Sequence, residues 1–265
     1  MKSWPALDAS SDQSELLLAA VDDFNPTAVE EREDSLRVFF ATRAARDSAV
    51  AALRAGFRIT PIDVDDEDWA RRSQENLTAI TVGRVTIVPA RPASPAEDHV
   101  IVIPPSMGFG TGHHATTRLC LAELQKLDLR GKSVLDVGTG SGVLAIAAAA
   151  LGAASALGID DDADAIQAAN ENLECNAVTN VTFAVRDLMK EDLPAVDVVL
   201  ANLTGALVVR AASRLMTAVR AGGTLIVSGV LATEGDDVRQ AFANRTFATL
   251  VQEDEWLALT IRSRG

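Results

Sequence analysis

Two domains are predicted, a small α+β unit followed by a larger α/β unit built on a mostly parallel sheet, and three observations carry that prediction. The chain has 265 residues, 48% apolar and 23% charged, enough for one large and one small core at the usual ~100–200 residues per domain. From Val100 onward, apolar strand-like segments alternate with alanine-rich helical ones, the pattern of a parallel sheet covered on both faces. Ahead of that lies a charged, proline-broken stretch ending in ARPASPAED at Asp98, which reads as a connector. The predicted boundaries are 1–64, 65–98 and 99–265.

In the small unit, an extended start at Trp4–Leu7 precedes a segment that is apolar at helical spacing from Glu15 to Val21. Short strands at Ala28–Glu31 and Ser35–Ala41, a helix over Ala45–Phe57 and a strand at Ile59–Val64 complete a βαββαβ order, the ferredoxin-like α+β arrangement. An acidic run, Asp63 to Asp68, opens the connector, which also holds an extended piece at Ile80–Pro89. In the large unit, strands are predicted at Ser133–Val137, Ala154–Asp160, Val181–Val185, Val196–Leu200, Thr224–Val230, Phe247–Glu253 and Trp256–Arg262. Helices begin near Thr116, Ser141, Ala163, Ala206 and Glu234. The last two strands adjoin in sequence, so a tight turn at Asp254-Glu255 makes them an antiparallel hairpin. The whole is a seven-stranded Rossmann-like domain.

The formal charge of −13 repels phosphate backbones and attracts cationic partners. Nucleic acid is therefore a poor substrate and a lysine-rich protein a better one. No run of about 18 apolar residues and no basic-then-apolar N-terminus occurs, so a soluble, cytoplasmic protein without a membrane partner is expected. Cys120 and Cys175 fall in helical segments and read as structural thiols.

The chemistry concentrates where Val134 to Val137 runs into Gly138-Thr139-Gly140-Ser141-Gly142 and then a helix. Glycines after a first parallel strand let the chain turn sharply and bring a ligand close to the backbone amides. The spacing is G-x-G-x-G, not the G-x-G-x-x-G of dinucleotide sites, which argues against a nicotinamide dehydrogenase. Asp136 before the turn suits a cationic amino group and sits badly against a pyrophosphate. Both features favour S-adenosylmethionine, and with it a class I methyltransferase domain. Asp160 closes the next strand, where an acid can accept both ribose hydroxyls, while Asp161 and Asp162 read as helix caps. Asn202 ends the fourth strand, where it is predicted to face the methyl group and orient a neutral amine. Upstream, Ser106 to Thr117 is a glycine-rich loop ahead of a helix, with Thr116 or Thr117 as the expected cap. His113 and His114 lack a third ligand at metal spacing, so no metal site is predicted.

These residues resemble the PrmA family, methyltransferases of the large-subunit ribosomal protein numbered eleven, at the stalk base. The resemblance runs from about Glu67 to the end. It is carried by Met107 to His114, Thr116 to Leu119, Asp136 to Ala147, Gly158 to Asp160, Ala201 to Leu203, Ser228-Gly229 and Glu255-Trp256. It implies Thr117, Gly138, Asp160 and Asn202 as cofactor ligands, with Asn202 also beside the amine. Phe109, Thr116, Asp136, Gly140 and Gly142 complete the expected cofactor site, and Asn202 is the expected catalytic residue. The resemblance further implies a substrate-recognising ferredoxin-like domain and methylation of lysine side chains and an α-amino group. Asp68-Trp69 matches the family's linker, whereas Ser73 and Pro104 depart from its usual pattern. Two alternatives stay open: a related methyltransferase acting on another protein or a small amine, and a non-catalytic S-adenosylmethionine-binding module.

Overall fold

The computed structural model describes residues 3–10, 17, 20–21, 24, 26–31, 35–65, 79–91, 99–104, 114–243 and 245–263. Most of the predicted Glu15–Val21 helix, the linker tryptophan Trp69, Ser73, and the glycine loop from Ser106 to His113 with Phe109 lie outside the described residues. The chain divides into two compact units, Met1–Asn76 and Leu77–Gly265.

In the first unit, β1 (Ser3–Ser10), β2 (Pro26–Glu31), β3 (Ser35–Phe40) and β4 (Ile59–Asp65) form an antiparallel sheet of order β2-β3-β1-β4. Helix α1 (Arg43–Leu53) starts at Thr42, whose hydroxyl accepts from the Ala45 amide, satisfying one of the orphan donors of its first turn. The two-residue alternation of strands sorts the side chains. Leu36, Val38 and Phe40 join Leu7, Ala9 and Ala49 in one cluster, and Phe39 packs with Ala6 and Val64 in another. On the strand that carries Phe39, Arg37 donates to both oxygens of Asp8, its cross-strand partner, one of them at 2.6 Å.

The second unit is organised around a seven-stranded sheet of order β10-β9-β8-β11-β12-β14-β13. Its strands are β8 (Ser133–Val137), β9 (Ser155–Asp160), β10 (Val181–Val185), β11 (Val196–Asn202), β12 (Val219–Leu231), β13 (Thr246–Glu253) and β14 (Trp256–Arg262). The first five run parallel and the closing hairpin antiparallel. One face carries α2 (Ala115–Leu124), α3 (Val143–Ala150) and α4 (Ala163–Glu174), and the other α5 (Gly205–Ala218) and α6 (Gly235–Ala241). Leu135, Leu200 and Ile226 have no exposed surface, and burying each such side chain contributes ~1.5–3 kcal/mol.

Part of the span read as a connector, 65–98, is built into the second unit. Strands β5 (Ile80–Val82), β6 (Val85–Val88) and β7 (His99–Val102) form a three-stranded sheet, and Val85, Ile87, Ile101 and Ile103 belong to the same core as Leu121, Leu124 and Ile146. Side-chain amides serve as surrogate strand neighbours. Asn176 accepts from the Val102 amide at 2.9 Å and donates to its carbonyl at 2.8 Å, while Gln125 does the same for Arg84 and Val82. No local pattern announces this, because the apolar pairs acquire meaning only against helices that follow later.

A buried carboxylate clamps α2 to the closing hairpin. Glu123, 2% exposed, accepts from Thr249 Oγ1 at 2.6 Å, from Thr260 Oγ1 at 2.9 Å, and from Lys126. Burial pushes its carboxyl up, but the hydrogen bonds from Lys126, Thr249 and Thr260 outweigh that and leave it below the usual glutamate range. A depressed folded-state value contributes stability above the unfolded value and loses it as pH falls through the folded one. Glu123→Gln should therefore destabilise the neutral protein by ~1–3 kcal/mol and flatten its stability loss below about pH 4.5, measured by urea unfolding from pH 3 to 7.

Candidate active site

Between β8 and β11 the order of the sheet reverses: the chain leaves β8 toward β9 and β10, then returns to the other side of β8 as β11. In open α/β sheets the crevice above such a switch point receives ligands. The turn after β8 and the end of β11 are therefore the two walls of the candidate site.

The first wall is the glycine turn. Gly138, Gly140 and Gly142 all have left-handed φ, at 68°, 51° and 79°, conformations that cost an L side chain free energy. The amides of Gly138 and Thr139 both donate to the Ile159 carbonyl, at 2.8 and 2.9 Å, tying the turn to the end of β9. Close approach reinforces the glycine requirement: a Cβ at Gly142 would lie 2.5 Å from Phe183 Cζ, and one at Gly138 would lie 2.4 Å from Leu203 Cδ2. Phe183 also fills the space over Gly158, and no motif marked it in advance.

Two carboxylates hold this turn. Asp160 Oδ2 accepts from the Gly140 amide at 3.0 Å and Oδ1 from the Asp162 amide at 3.1 Å, which leaves lone pairs on a half-buried side chain at the carboxyl edge of the sheet. Asp162 caps α4 by accepting from the Asp164 amide at 2.9 Å. Asp136 is 1% exposed. Its Oδ2 accepts from Thr139 Oγ1 at 2.6 Å and from the Ala145 amide at 3.2 Å, so it anchors the turn and the start of α3 from beneath. Its Oδ1 is buried with no hydrogen-bond partner among the described residues. Burial raises its carboxyl to about 6 against the lowering effect of those bonds, and the negative charge of Asp160 adds to the rise.

The second wall is the end of β11. Asn202 pairs in register with Ser228 of β12, and the following amide, Leu203, donates to the Ser228 carbonyl at 3.0 Å. Gly229, with φ 79°, lets this approach occur, since a Cβ there would sit 2.3 Å from the Leu203 carbonyl oxygen and 3.0 Å from Asn202 Oδ1. The Asn202 side chain is half-buried, and no hydrogen bond from it to another described side chain or backbone group is seen. Leu203 packs on Gly138, which joins the two walls.

Helix α2 departs from expectation at its start. Neither Thr116 nor Thr117 is the cap: His114 is, with Nδ1 2.7 Å from Thr116 Oγ1 and accepting from the Thr116 amide. The threonines lie inside the first turn, 3% and 1% exposed. His114 also meets Trp256 edge-on, with ring centroids 4.8 Å apart. One turn further, Cys120 is fully buried and burial pushes its thiol up, consistent with an inert core residue. Among the described residues no group of three His, Cys, Asp or Glu side chains is placed to hold a metal.

A parallel sheet with a reversed closing hairpin, a glycine turn after its first strand and an acid ending its second defines the class I S-adenosylmethionine methyltransferase fold. Residues 13–264 match the model of the family described as ribosomal protein L11 methyltransferase (PrmA), and the chain belongs to that family. The ribosomal protein L11 methyltransferase of Deinococcus radiodurans is 38% identical over 97% of both chains. That of Pseudomonas syringae pv. tomato is 40% identical over 76% of this chain and 70% of its own length. Among solved structures, the ribosomal protein L11 methylase of Lactobacillus delbrueckii subsp. bulgaricus aligns with a TM-score of 0.65 at 26% identity, over 71% of this chain and all of the other. A tRNA m1G37 methyltransferase of M. jannaschii, 13% identical with a TM-score of 0.52, covers 98% of this chain and 99% of its own and shares the fold alone.

Proposed function

We propose that this protein transfers methyl groups from S-adenosylmethionine to lysine and α-amino nitrogens of ribosomal protein L11, the stalk-base protein of the large subunit. The observation that carries this reading is the half-buried Asn202 side chain at the switch point, joined by Leu203 to the glycine turn. The site fits the cofactor by its shape and acceptors: a glycine turn that carries no side chain at Gly138, Gly140 or Gly142, an acid with lone pairs to spare at Asp160, and a buried Asp136 oxygen with no hydrogen-bond partner among the described residues. When bound, S-adenosylmethionine supplies an electrophilic methyl on a sulfonium. Asp160 would accept the ribose hydroxyls, Gly138, Gly140 and Gly142 would keep the backbone open to the amino-acid end, and Asp136 would face the ammonium. Thr116, Thr117 and Phe109 would complete the pocket.

An amine attacks only as the neutral base, whereas a lysine begins protonated, with an unperturbed pKa of ~10.4. Once the amine has released its extra proton to solvent, Asn202 Oδ1 would accept one of its remaining hydrogens and point the lone pair along the line of transfer. No metal is required for this chemistry. The net charge of −13 favours a basic protein over nucleic acid, and the reading places its action in the cytoplasm; no helix among the described residues is long and apolar enough to cross a membrane. In the first unit the strand order β2-β3-β1-β4 supports a ferredoxin-like domain that recognises the substrate, joined to the catalytic unit by a linker.

Intact-mass analysis of purified L11 after incubation with this protein and S-adenosylmethionine tests the reading. Gains in steps of one methyl group are expected. Unchanged L11 with methylation of another protein or a small amine would move the substrate, and cofactor binding with no transfer to any acceptor would leave a binding module.

The Asp136 geometry adds a pH dependence. With its carboxyl raised to about 6, the folded ligand-free protein holds this proton more tightly than the unfolded chain, so the carboxylate's contribution to stability falls as pH rises from about 4 to 6. Cofactor ammonium needs the ionised form. Affinity for S-adenosylmethionine should therefore rise by ~10-fold between pH 5 and 7, and Asp136→Asn should remove the rise, as calorimetric titration at several pH values would reveal.

A further inference from the structure

We infer that Glu234 is a positioning residue for methyl transfer: from the turn after β12 its carboxylate fixes the start of α5, and through it the segment Asn202–Thr204. The inference rests on the acceptor role proposed above for Asn202. Glu234 ends a short 3-10 turn, Ala232–Glu234, and its Oε2 accepts from the Leu231 amide at 3.0 Å. That bond closes the turn on the last residue of β12. The same carboxylate lies flat against Gly205, the first residue of α5: a Cβ there would be 2.5 Å from Oε2, 2.6 Å from Cδ and 2.9 Å from Oε1.

Helix α5 is in need of such a partner. Its N-cap, Thr204, makes no side-chain capping bond, so the packing of the Glu234 side chain against Gly205 is what fixes this end. The helix begins only three residues after Asn202. On the other side of that segment stand Ser228 and Gly229, bound to or in contact with Leu203 and Asn202. Asn202–Thr204 is thereby held from two directions by one strand end, directly through Ser228 and Gly229 and at one remove through Leu231, Glu234 and Gly205. Gly205 has no left-handed φ to account for it; the approach of the carboxylate is what its missing side chain accommodates.

Transfer depends steeply on the alignment of the attacking nitrogen, so loosening this tie should slow turnover without weakening cofactor binding. Glu234→Ala is expected to lower kcat by ~10-fold with KM for S-adenosylmethionine within ~3-fold of wild type. Gly205→Ala should do the same, because its methyl displaces the flexible end of Glu234 while leaving the residue in place. Since both changes break one contact, the double variant should be no slower than the worse single variant. Glu234→Gln, which can still accept from Leu231, should restore kcat to within ~3-fold of wild type. Additive losses in the double variant, an unchanged kcat in Glu234→Ala, or a rise in KM matching the fall in kcat would each overturn the assignment. Should Glu234→Ala fail to fold, kcat and KM of Gly205→Ala and Glu234→Gln decide it, with full activity in Gly205→Ala counting against. Asn202→Ala assayed in parallel separates the two ideas. Full activity there removes the acceptor role itself, whereas a slow Asn202→Ala beside an additive cycle removes only Glu234.

Discussion

Asn202→Ala is expected to reduce kcat for methyl transfer to L11 by ~10²-fold or more while leaving the Kd for S-adenosylmethionine within ~3-fold of wild type. The asymmetry follows from where the side chain stands. It ends β11, in register with Ser228, on the far side of the switch point from the turn amides and Asp160. Nothing in the described structure uses its amide, so its removal leaves no buried group without a partner and little reason for the fold to suffer. What disappears is an acceptor aimed at the amine hydrogens, an interaction that matters when the nitrogen lone pair must be aligned. Single-turnover rates and equilibrium titration on the same preparation would separate the two quantities. An equal loss in both would mean that Asn202 serves the cofactor rather than the acceptor.

Asp160→Ala should act in the opposite sense, weakening cofactor affinity by ~100-fold or more, because hydrogen bonds to a charged acceptor are each worth ~1.5–3 kcal/mol and two ribose hydroxyls are at stake. A second loss accompanies it. Asp160 also accepts from Gly140 and Asp162, so the variant frees the middle of the glycine turn as well as the ribose. Asp160→Asn discriminates between these roles: its remaining carbonyl oxygen can hold the Gly140 amide yet cannot accept as two charged oxygens do. Affinity midway between wild type and alanine is the expected result, by calorimetry. Wild-type affinity in Asp160→Ala would remove the ribose assignment altogether.

Much of this was readable before any coordinates, and for a local reason. Strands β8 to β14 lie within a few residues of the predicted segments, apart from β12, which begins five residues early at Val219. Apolar periodicity and glycine position are properties of neighbouring residues. The two walls of the site are likewise sequence-local, each a strand end followed at once by its turn, so Gly138, Gly140, Gly142, Asp160 and Asn202 could be picked from short windows.

Tertiary structure decided everything that depends on which distant groups meet. Asp136 reads as a ligand-facing acid, and the packing of α2 and α3 over β8 buries it, commits Oδ2 to Thr139 and Ala145 and leaves only Oδ1 for a ligand. The cap of α2 is His114, whose ring also meets that of Trp256, 142 positions later. Segment 79–104 joins the core of the second unit because Val85, Ile87, Ile101 and Ile103 pack against helices that follow later and Asn176 and Gln125 complete its backbone pairing. The chain alone determined that a turn of three left-handed glycines would follow a buried strand, since φ and hydrophobic period are set within a few residues. Which carboxylate faces the ligand, which clamps a helix and which closes a turn was left to the fold, because a carboxylate's role is set by burial and partners, and both arise only when remote segments come together.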